Sequence, residues 1–166
     1  MRRPILLIAS LLLCLALPAA AATVAELKVS AIPDENPQEL LRIYQPFAGY
    51  LSRELKIPVR FVPILDYAAT VEGLAAKKLD MVWYGGFTSV QAVRRTGDAT
   101  RLVMRKEDAE FKSVFVARPG SGIQRLADLK GKSFAFGSVS STSGHLMPRY
   151  FLLRNGINPE QAFAAF

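Results

Sequence analysis

Cysteine, histidine and tryptophan are almost absent from the sequence, with one of each in 166 residues. The single cysteine, Cys14, lies in an apolar N-terminal run, and the single histidine is His145. A chain with one cysteine forms no internal disulfide, which excludes the small disulfide-stabilised secreted domains. The sequence also has no cluster of metal-ligating residues. We therefore expect neither a metal nor any other cofactor.

The first 22 residues have the features of a secretory signal peptide. Arg2 and Arg3 are basic, residues 5–17 are almost entirely apolar, and Ala20 and Ala22 fit a small-residue cleavage site. The apolar run is shorter than the ~20 residues of a membrane-spanning helix. We expect export to the periplasm with cleavage near Ala22. A retained membrane anchor is the alternative.

Positive charge is in modest excess and is not concentrated. There are 21 Lys and Arg against 14 Asp and Glu, a formal net charge of +7, which falls to +5 without Arg2 and Arg3. The remaining basic residues are scattered and form no long block and no stripe interleaved with aromatic residues, so a nucleic-acid partner is not predicted. A mildly positive field instead favours the capture of small anions.

Short β-type segments alternate with helical segments after the leader. Asn36 is predicted to cap the first helix, Pro46 to kink it or divide it in two, and Gly97 to close the third. This alternation predicts an α/β fold with a largely parallel sheet and helices on both of its faces. The predicted strands are residues 26–32, 57–64, 79–86, 99–107, 113–118 and 133–137. Asn158 and Pro159 then predict a further helix or loop.

A dense group of hydroxyl side chains follows the last predicted strand. Of residues 138–143, four are Ser and one is Thr, and a helix is predicted to begin near Ser143. The first turn of a helix leaves backbone N–H groups unpaired, and an oxyanion there would collect them together with the hydroxyls of Ser141, Thr142 and Ser143. Gly144 would allow a close backbone approach. The alternative is ordinary helix capping, for which one Ser or Thr is sufficient.

Two other interpretations of this stretch fit less well. A nucleotide-binding phosphate loop has four residues between its glycines and a following Lys, whereas six residues separate Gly137 from Gly144 and His145 comes next. A serine hydrolase elbow needs the pattern Gly-x-Ser-x-Gly, which is missing. His145 could serve Ser141 or Ser143 as a base, but no acidic residue of this segment would orient it.

Aromatic residues stand at the ends of two predicted strands. Tyr67 follows the second strand, and Trp83 and Tyr84 end the third, before Gly85 and Gly86. Open α/β sheets bind ligands at the carboxyl ends of their strands, where a tyrosine hydroxyl can donate to an oxyanion. Packing in the core is the alternative role for each of these side chains.

Three segments give the chain its resemblance to a known family: "DYAATVEGL", "LDMVWYGG" and "FGSVSSTSGHLMPRYFL". With them the chain resembles the periplasmic substrate-binding proteins of phosphonate-type ABC importers. The earlier segment "SAIPDENPQELL" is similar to a branch of that family labelled as selenate or phosphite binders. The resemblance implies a type II periplasmic binding fold, a membrane permease as partner and no catalysis. It also implies that the ligand-binding residues are Tyr67, Tyr84, Ser141, Thr142 and Ser143.

Members of this family are about twice as long, with two α/β lobes around a cleft. After the signal peptide of residues 1–22, the resemblance therefore implies a first lobe over 23–112, and a crossing strand with an incomplete second lobe over 113–166. The implied function is the capture of a small tetrahedral oxyanion such as a phosphonate or phosphite. Two alternatives stay open: a sensory input domain with the same fold, and a hydrolase built on Ser141 or Ser143 with His145.

Overall fold

A computed structural model of the protein describes residues 26–165. The predicted signal peptide, its cleavage near Ala22 and the apolar position of Cys14 lie outside the described residues, and so does Phe166. Among residues 26–165, no helix combines the length and the apolar character that crossing a membrane requires.

Three parallel strands form the sheet. They are β1 (Leu27–Ala31), β2 (Val59–Phe61) and β3 (Met81–Trp83), in the order β2-β1-β3. Val29 of β1 is paired with Phe61 on one side and with Met81 on the other. All three strands were predicted, although each is shorter than its apolar segment. Because the strands are parallel, their carboxyl ends meet at one edge of the sheet.

Three helices accompany this sheet: α1 (Pro37–Leu55), α2 (Tyr67–Ala75) and α3 (Gly86–Thr96). Asn36 caps α1 as predicted, because its side-chain oxygen accepts the N–H groups of Gln38 and Glu39 at 3.1 and 3.0 Å. Gly97 ends α3 with a φ of 78°, a left-handed conformation that glycine adopts readily.

Of the two outcomes predicted at Pro46, the division of the first helix is wrong, and the kink stays a prediction. Pro46 lies inside one continuous helix of 19 residues. A proline removes the N–H that would have bonded to the carbonyl four residues earlier, that of Arg42. Both Pro46 and Arg42 are exposed, so water can satisfy the freed carbonyl and the helix continues.

The predicted strands at 99–107 and 113–118 are also wrong. Neither segment joins a β-ladder in the part of the chain that the structure describes, and a short 3₁₀ helix occupies Lys106–Glu110. Leu102 is 74% and Val116 91% exposed. A short apolar run forms a strand only where a neighbouring strand pairs with it, and none of the described segments does so here.

The first apolar cluster of the fold lies where α1 packs against β1 and β2, and a second apolar cluster holds the C-terminal part of the chain together. Leu129, Leu152 and Phe163 are buried in it, and the Phe134 ring stacks on the Phe163 ring with centroids 4.8 Å apart. The predicted strand 133–137 is reduced to a single parallel bridge between Ser133 and Ala165. This part of the chain contains the helices α4 (Met147–Arg154) and α5 (Pro159–Ala162). The second of them is the short helix predicted at Pro159, and Asn158 caps it.

Candidate oxyanion site

The Ser/Thr-rich stretch forms a wide helical turn, Thr142–Leu146, that leads directly into α4. Ser141 precedes this turn as its cap: its side-chain oxygen accepts the N–H of Gly144 at 3.1 Å. Its carbonyl accepts the N–H groups of His145 and Leu146 at 3.3 and 3.0 Å. The alternative role of helix capping is therefore confirmed for Ser141, and a single residue performs it.

Thr142 contacts α3, in the first half of the fold, which is the part formed by the three-stranded sheet and the helices α1 to α3. Its hydroxyl oxygen accepts the backbone N–H of Phe87, in the first turn of α3, at 2.7 Å. The cap position of α3 is Gly85, which contributes no side-chain hydrogen bond. Thr142 therefore supplies from 55 residues away the capping oxygen that α3 lacks.

Tyr67 is the first residue of α2 and interacts with the same turn through Ser141. Burial raises the pKa of the Tyr67 hydroxyl, a hydrogen bond with the Ser141 side chain lowers it, and the negative charge of Asp34 raises it further. The net result is a pKa above the usual value, so the hydroxyl keeps its proton at neutral pH. The structure thus brings together Tyr67, Ser141 and Thr142 at the carboxyl edge of the sheet.

Ser143 faces a different space. With Gly144 it lines an open groove of about 1070 Å³ beside the extended residues 114–121, and the lining of that groove includes neither Tyr67 nor Thr142. The predicted role of Ser143 as a ligand residue stays a prediction, because the structure does not group its side chain with the other two hydroxyls.

Tyr84 has a partner of its own inside the first half of the fold. Its hydroxyl donates to the backbone carbonyl of Thr70 in α2, at 2.8 Å. Burial raises the pKa of Tyr84 to about 12, against the lowering effect of that hydrogen bond. Its predicted role as a donor to an oxyanion stays a prediction. In the structure, the single proton of the Tyr84 hydroxyl is donated to the Thr70 carbonyl of α2.

Replacing Tyr84 by Phe should reveal this structural role. We expect a loss of about 1 kcal/mol in the free energy of unfolding at neutral pH, the usual contribution of one hydrogen bond. A raised folded-state pKa favours the protonated fold, so this contribution is present below the unfolded pKa of about 10 and is lost as the pH rises through about 12. Denaturation from pH 8 to 11.5 should therefore show the stability of wild type falling towards that of Tyr84→Phe. A constant difference over this range would contradict the assignment.

Two glycines fix the position of the turn. The N–H of Gly137 donates to the carbonyl of Gly144 at 2.8 Å. A Cβ atom added at Gly137 would lie 3.2 Å from the Cα of Gly144, and one added at Gly144 would lie 3.0 Å from the Ser141 Oγ. Both contacts would be tighter than side chains normally make. Because Gly137 and Gly144 have no side chains, the backbone of the turn can lie directly against residues 133–137.

The contacts of His145 do not assemble a hydrolase. Its ring packs on Phe136 with centroids 4.7 Å apart. The Ser141 side-chain oxygen accepts the N–H of Gly144. Among the described residues, no side-chain hydrogen bond joins the His145 ring to the hydroxyl of Ser141 or Ser143, and the bond from His145 to Ser141 is between backbone atoms. Among residues 26–165 there is also no group of three His, Cys, Asp or Glu side chains able to hold a metal.

Sequence reasoning missed the bond between Phe87 and Thr142, although one signal pointed to it. A helix that begins at Gly85 and Gly86 has no capping side chain of its own, so its first N–H groups must be satisfied from elsewhere. The position of Arg105 was also missed. Its guanidinium lies over the Trp83 ring, 5.4 Å from the centroid, at the edge where the sheet ends.

The model of the phosphonate-binding family, the periplasmic substrate-binding proteins of ABC transporters, matches residues 29–165. The chain belongs to this family. The prediction made from the three sequence segments is thus confirmed, and so is the α/β fold of the type II periplasmic binding class. The division into lobes at residue 112 stays a prediction.

Named relatives show how much of a family member the chain represents. A probable ABC-transporter phosphite-binding protein of Prochlorococcus marinus MIT 9301 is 43% identical over 137 residues, which are 79% of this chain and 46% of the relative. The phosphate-import protein of Mycolicibacterium smegmatis is 34% identical over 134 residues, 78% of this chain and 42% of the relative. The chain therefore spans less than half the length of these relatives.

A solved structure shares the fold of the chain. It is that of PhnD1 from the same Prochlorococcus strain in complex with methylphosphonate, and it superposes with a TM-score of 0.70 at 34% identity. The superposition covers 84% of this chain and 53% of the PhnD1 chain.

Proposed function

We propose that the protein is the periplasmic solute-binding component of an ABC importer. It captures a small tetrahedral oxyanion, a phosphonate or phosphite, without catalysis and delivers it to a membrane permease. The observation that carries this proposal is the convergence of Tyr67, Ser141 and Thr142 at the carboxyl edge of the sheet. The family membership and the methylphosphonate complex of the related PhnD1 support it.

The hydrogen bonds of the site suit an anion with acceptor oxygens. The hydroxyl oxygens of Ser141 and Thr142 each accept a backbone N–H, from Gly144 and Phe87. A hydroxyl has one proton to donate. The Thr142 oxygen is held by the Phe87 N–H, so its proton can face a ligand. One of the protons of Ser141 and Tyr67 is used in the hydrogen bond between them, and the other can face a ligand. The three oxygens of a phosphonate or phosphite head group accept such protons, whereas a cation would not.

The strength of the site depends on its surroundings. Micromolar affinity corresponds to about 8 kcal/mol, and a hydrogen bond to a charged group contributes roughly 1.5–3 kcal/mol. Tyr67, Ser141 and Thr142 have two protons left for the ligand once the hydrogen bond between Tyr67 and Ser141 is counted, and these could supply part of this before the cost of association is subtracted. We propose that residues 113–166 begin a second lobe and that the ligand binds between the lobes, where water is excluded. We expect the 166-residue chain to bind more weakly than a two-lobe version.

Anion titration of the protein tests the proposed function. The panel is methylphosphonate, phosphite, phosphate, sulfate and selenate, followed by the fluorescence of Trp83, the only tryptophan. We expect a saturable change with a phosphonate or phosphite. Thr142→Val should weaken that binding by roughly tenfold to a hundredfold, because it removes one charged hydrogen bond.

Thr100→Val is the matched control, since Thr100 is exposed and lies outside the site. It makes the same chemical change and should leave the affinity unchanged. If no anion of the panel binds the two-lobe protein in calorimetry, the proposed function is wrong. Equal affinities of the Thr142→Val and Thr100→Val variants would place the ligand elsewhere.

A further inference from the structure

We propose that the backbone N–H of Phe87 is a positioning group for the ligand. It holds the Thr142 hydroxyl by its oxygen and thereby directs the hydroxyl proton towards the bound anion. This inference rests on the proposed function, because it explains how one of the proposed ligand residues is oriented.

The approach of Thr142 to α3 depends on two residues without side chains. The Phe87 N–H donates to the Thr142 Oγ1 at 2.7 Å, which is at the short end of the normal range. Cβ atoms added at Gly85 and Gly86 would lie 3.7 and 3.5 Å from this Oγ1. Larger side chains at these two positions would crowd the hydroxyl, so the glycines keep the start of α3 open to it.

The direction of the bond determines what the hydroxyl can do next. An oxygen that accepts an N–H keeps its own proton available, and accepting one hydrogen bond strengthens the next one donated, by about 10–30%. The first turn of α3 is also the partially positive end of an 11-residue helix. Thr142 therefore extends the donor character of the start of α3 to the ligand through its own hydroxyl proton.

This bond can be diverted without disrupting the fold. Gly85 has φ −74° and ψ 168°, which any residue adopts, and a Cβ there would meet its nearest neighbours at 3.6 Å. A serine at a cap position accepts the N–H of the second or third helical residue, here Phe87 or Thr88. Gly85→Ser thus adds an acceptor that competes with Thr142, while Gly85→Ala adds the same Cβ without one.

The two variants should separate stability from binding. We expect Gly85→Ser to melt at or above the temperature of Gly85→Ala, because it caps α3. Its affinity for methylphosphonate or phosphite, measured by calorimetry, should nevertheless be roughly fivefold lower than that of Gly85→Ala. Equal affinities of the two variants would overturn the inference. It would also be overturned if Gly85→Ser were less stable than Gly85→Ala and bound the ligand more weakly for that reason.

A second measurement does not depend on binding. The amide proton of Phe87 should shift in the ¹H–¹⁵N spectrum of Thr142→Val and return close to its wild-type position in Thr142→Ser, which restores the hydroxyl. An unchanged Phe87 amide in Thr142→Val would overturn the inference, even if Gly85→Ser failed to fold. If wild type binds no anion while the Phe87 amide responds as expected, the proposed function fails and the contact between Phe87 and Thr142 stands.

Discussion

Replacing Leu152 by Ala is expected to lower the free energy of unfolding by about 2–5 kcal/mol, the range for deleting a buried leucine side chain. Leu152 is 0% exposed and lies between Leu129 and Phe163 in the second apolar cluster. The cavity left by the missing atoms would open below α4, the helix that follows the Ser141 turn. We therefore expect the variant to bind the oxyanion more weakly as well.

Leu153→Ala is the matched control for this experiment. It makes the same change one residue further along α4, where the side chain is 48% exposed, and should cost less than about 1 kcal/mol. Urea denaturation of both variants gives the comparison. Equal losses would mean that Leu152 is not packed in the native protein, and that the cluster does not support the site.

The first half of the fold could be predicted because its signals are local. Asn36 before Pro37 marks the start of α1, and Gly97 marks the end of α3. Each of these residues acts through its own backbone or on N–H groups two or three positions away. The alternation of strand and helix then implied a parallel sheet, since a helix between two strands returns the chain to the same edge.

The second half could not be predicted in the same way, because strand pairing is not local. Residues 113–118 contain the short apolar run that is typical of a strand, yet Val114 is 79% and Val116 91% exposed. The sequence pattern indicates which side chains would be buried if a neighbouring strand were present. It does not indicate whether such a strand is present. Residues 133–137 keep only the bridge from Ser133 to Ala165 for the same reason.

The candidate site shows the same limit. The density of hydroxyl groups around Thr142 was visible in the sequence, because one cap does not need several serines. The separate hydrogen-bonding partners of these hydroxyl groups could not be predicted from the sequence. The partner of Thr142 is Phe87, 55 residues away, and the partner of Tyr84 is Thr70, 14 residues away. Both contacts depend on how helices pack, which residue spacing does not specify.

Replacing Gly137 by Val is expected to destroy the turn that holds the hydroxyl groups. The first added carbon already lies 3.2 Å from the Cα of Gly144, and this neighbour is backbone that cannot rotate away. The two segments must separate, which breaks the 2.8 Å bond from the Gly137 N–H to the Gly144 carbonyl. Overpacking and the lost hydrogen bond together should cost about 2–4 kcal/mol. Oxyanion affinity should fall by more than in Thr142→Val.

Gly49→Ala provides the opposite case and shows why the effect is local. Gly49 lies inside α1, and a Cβ there would meet only the end of the Arg53 side chain, at 3.7 Å. Alanine in a helix interior is favoured over glycine by about 0.5–1 kcal/mol, so this variant should be more stable than wild type and bind equally well. If Gly137→Val kept wild-type stability and affinity, residues 133–137 would not be in contact with the turn. The hydroxyl groups of Ser141 and Thr142 would then have to be positioned by α3 and Tyr67 alone.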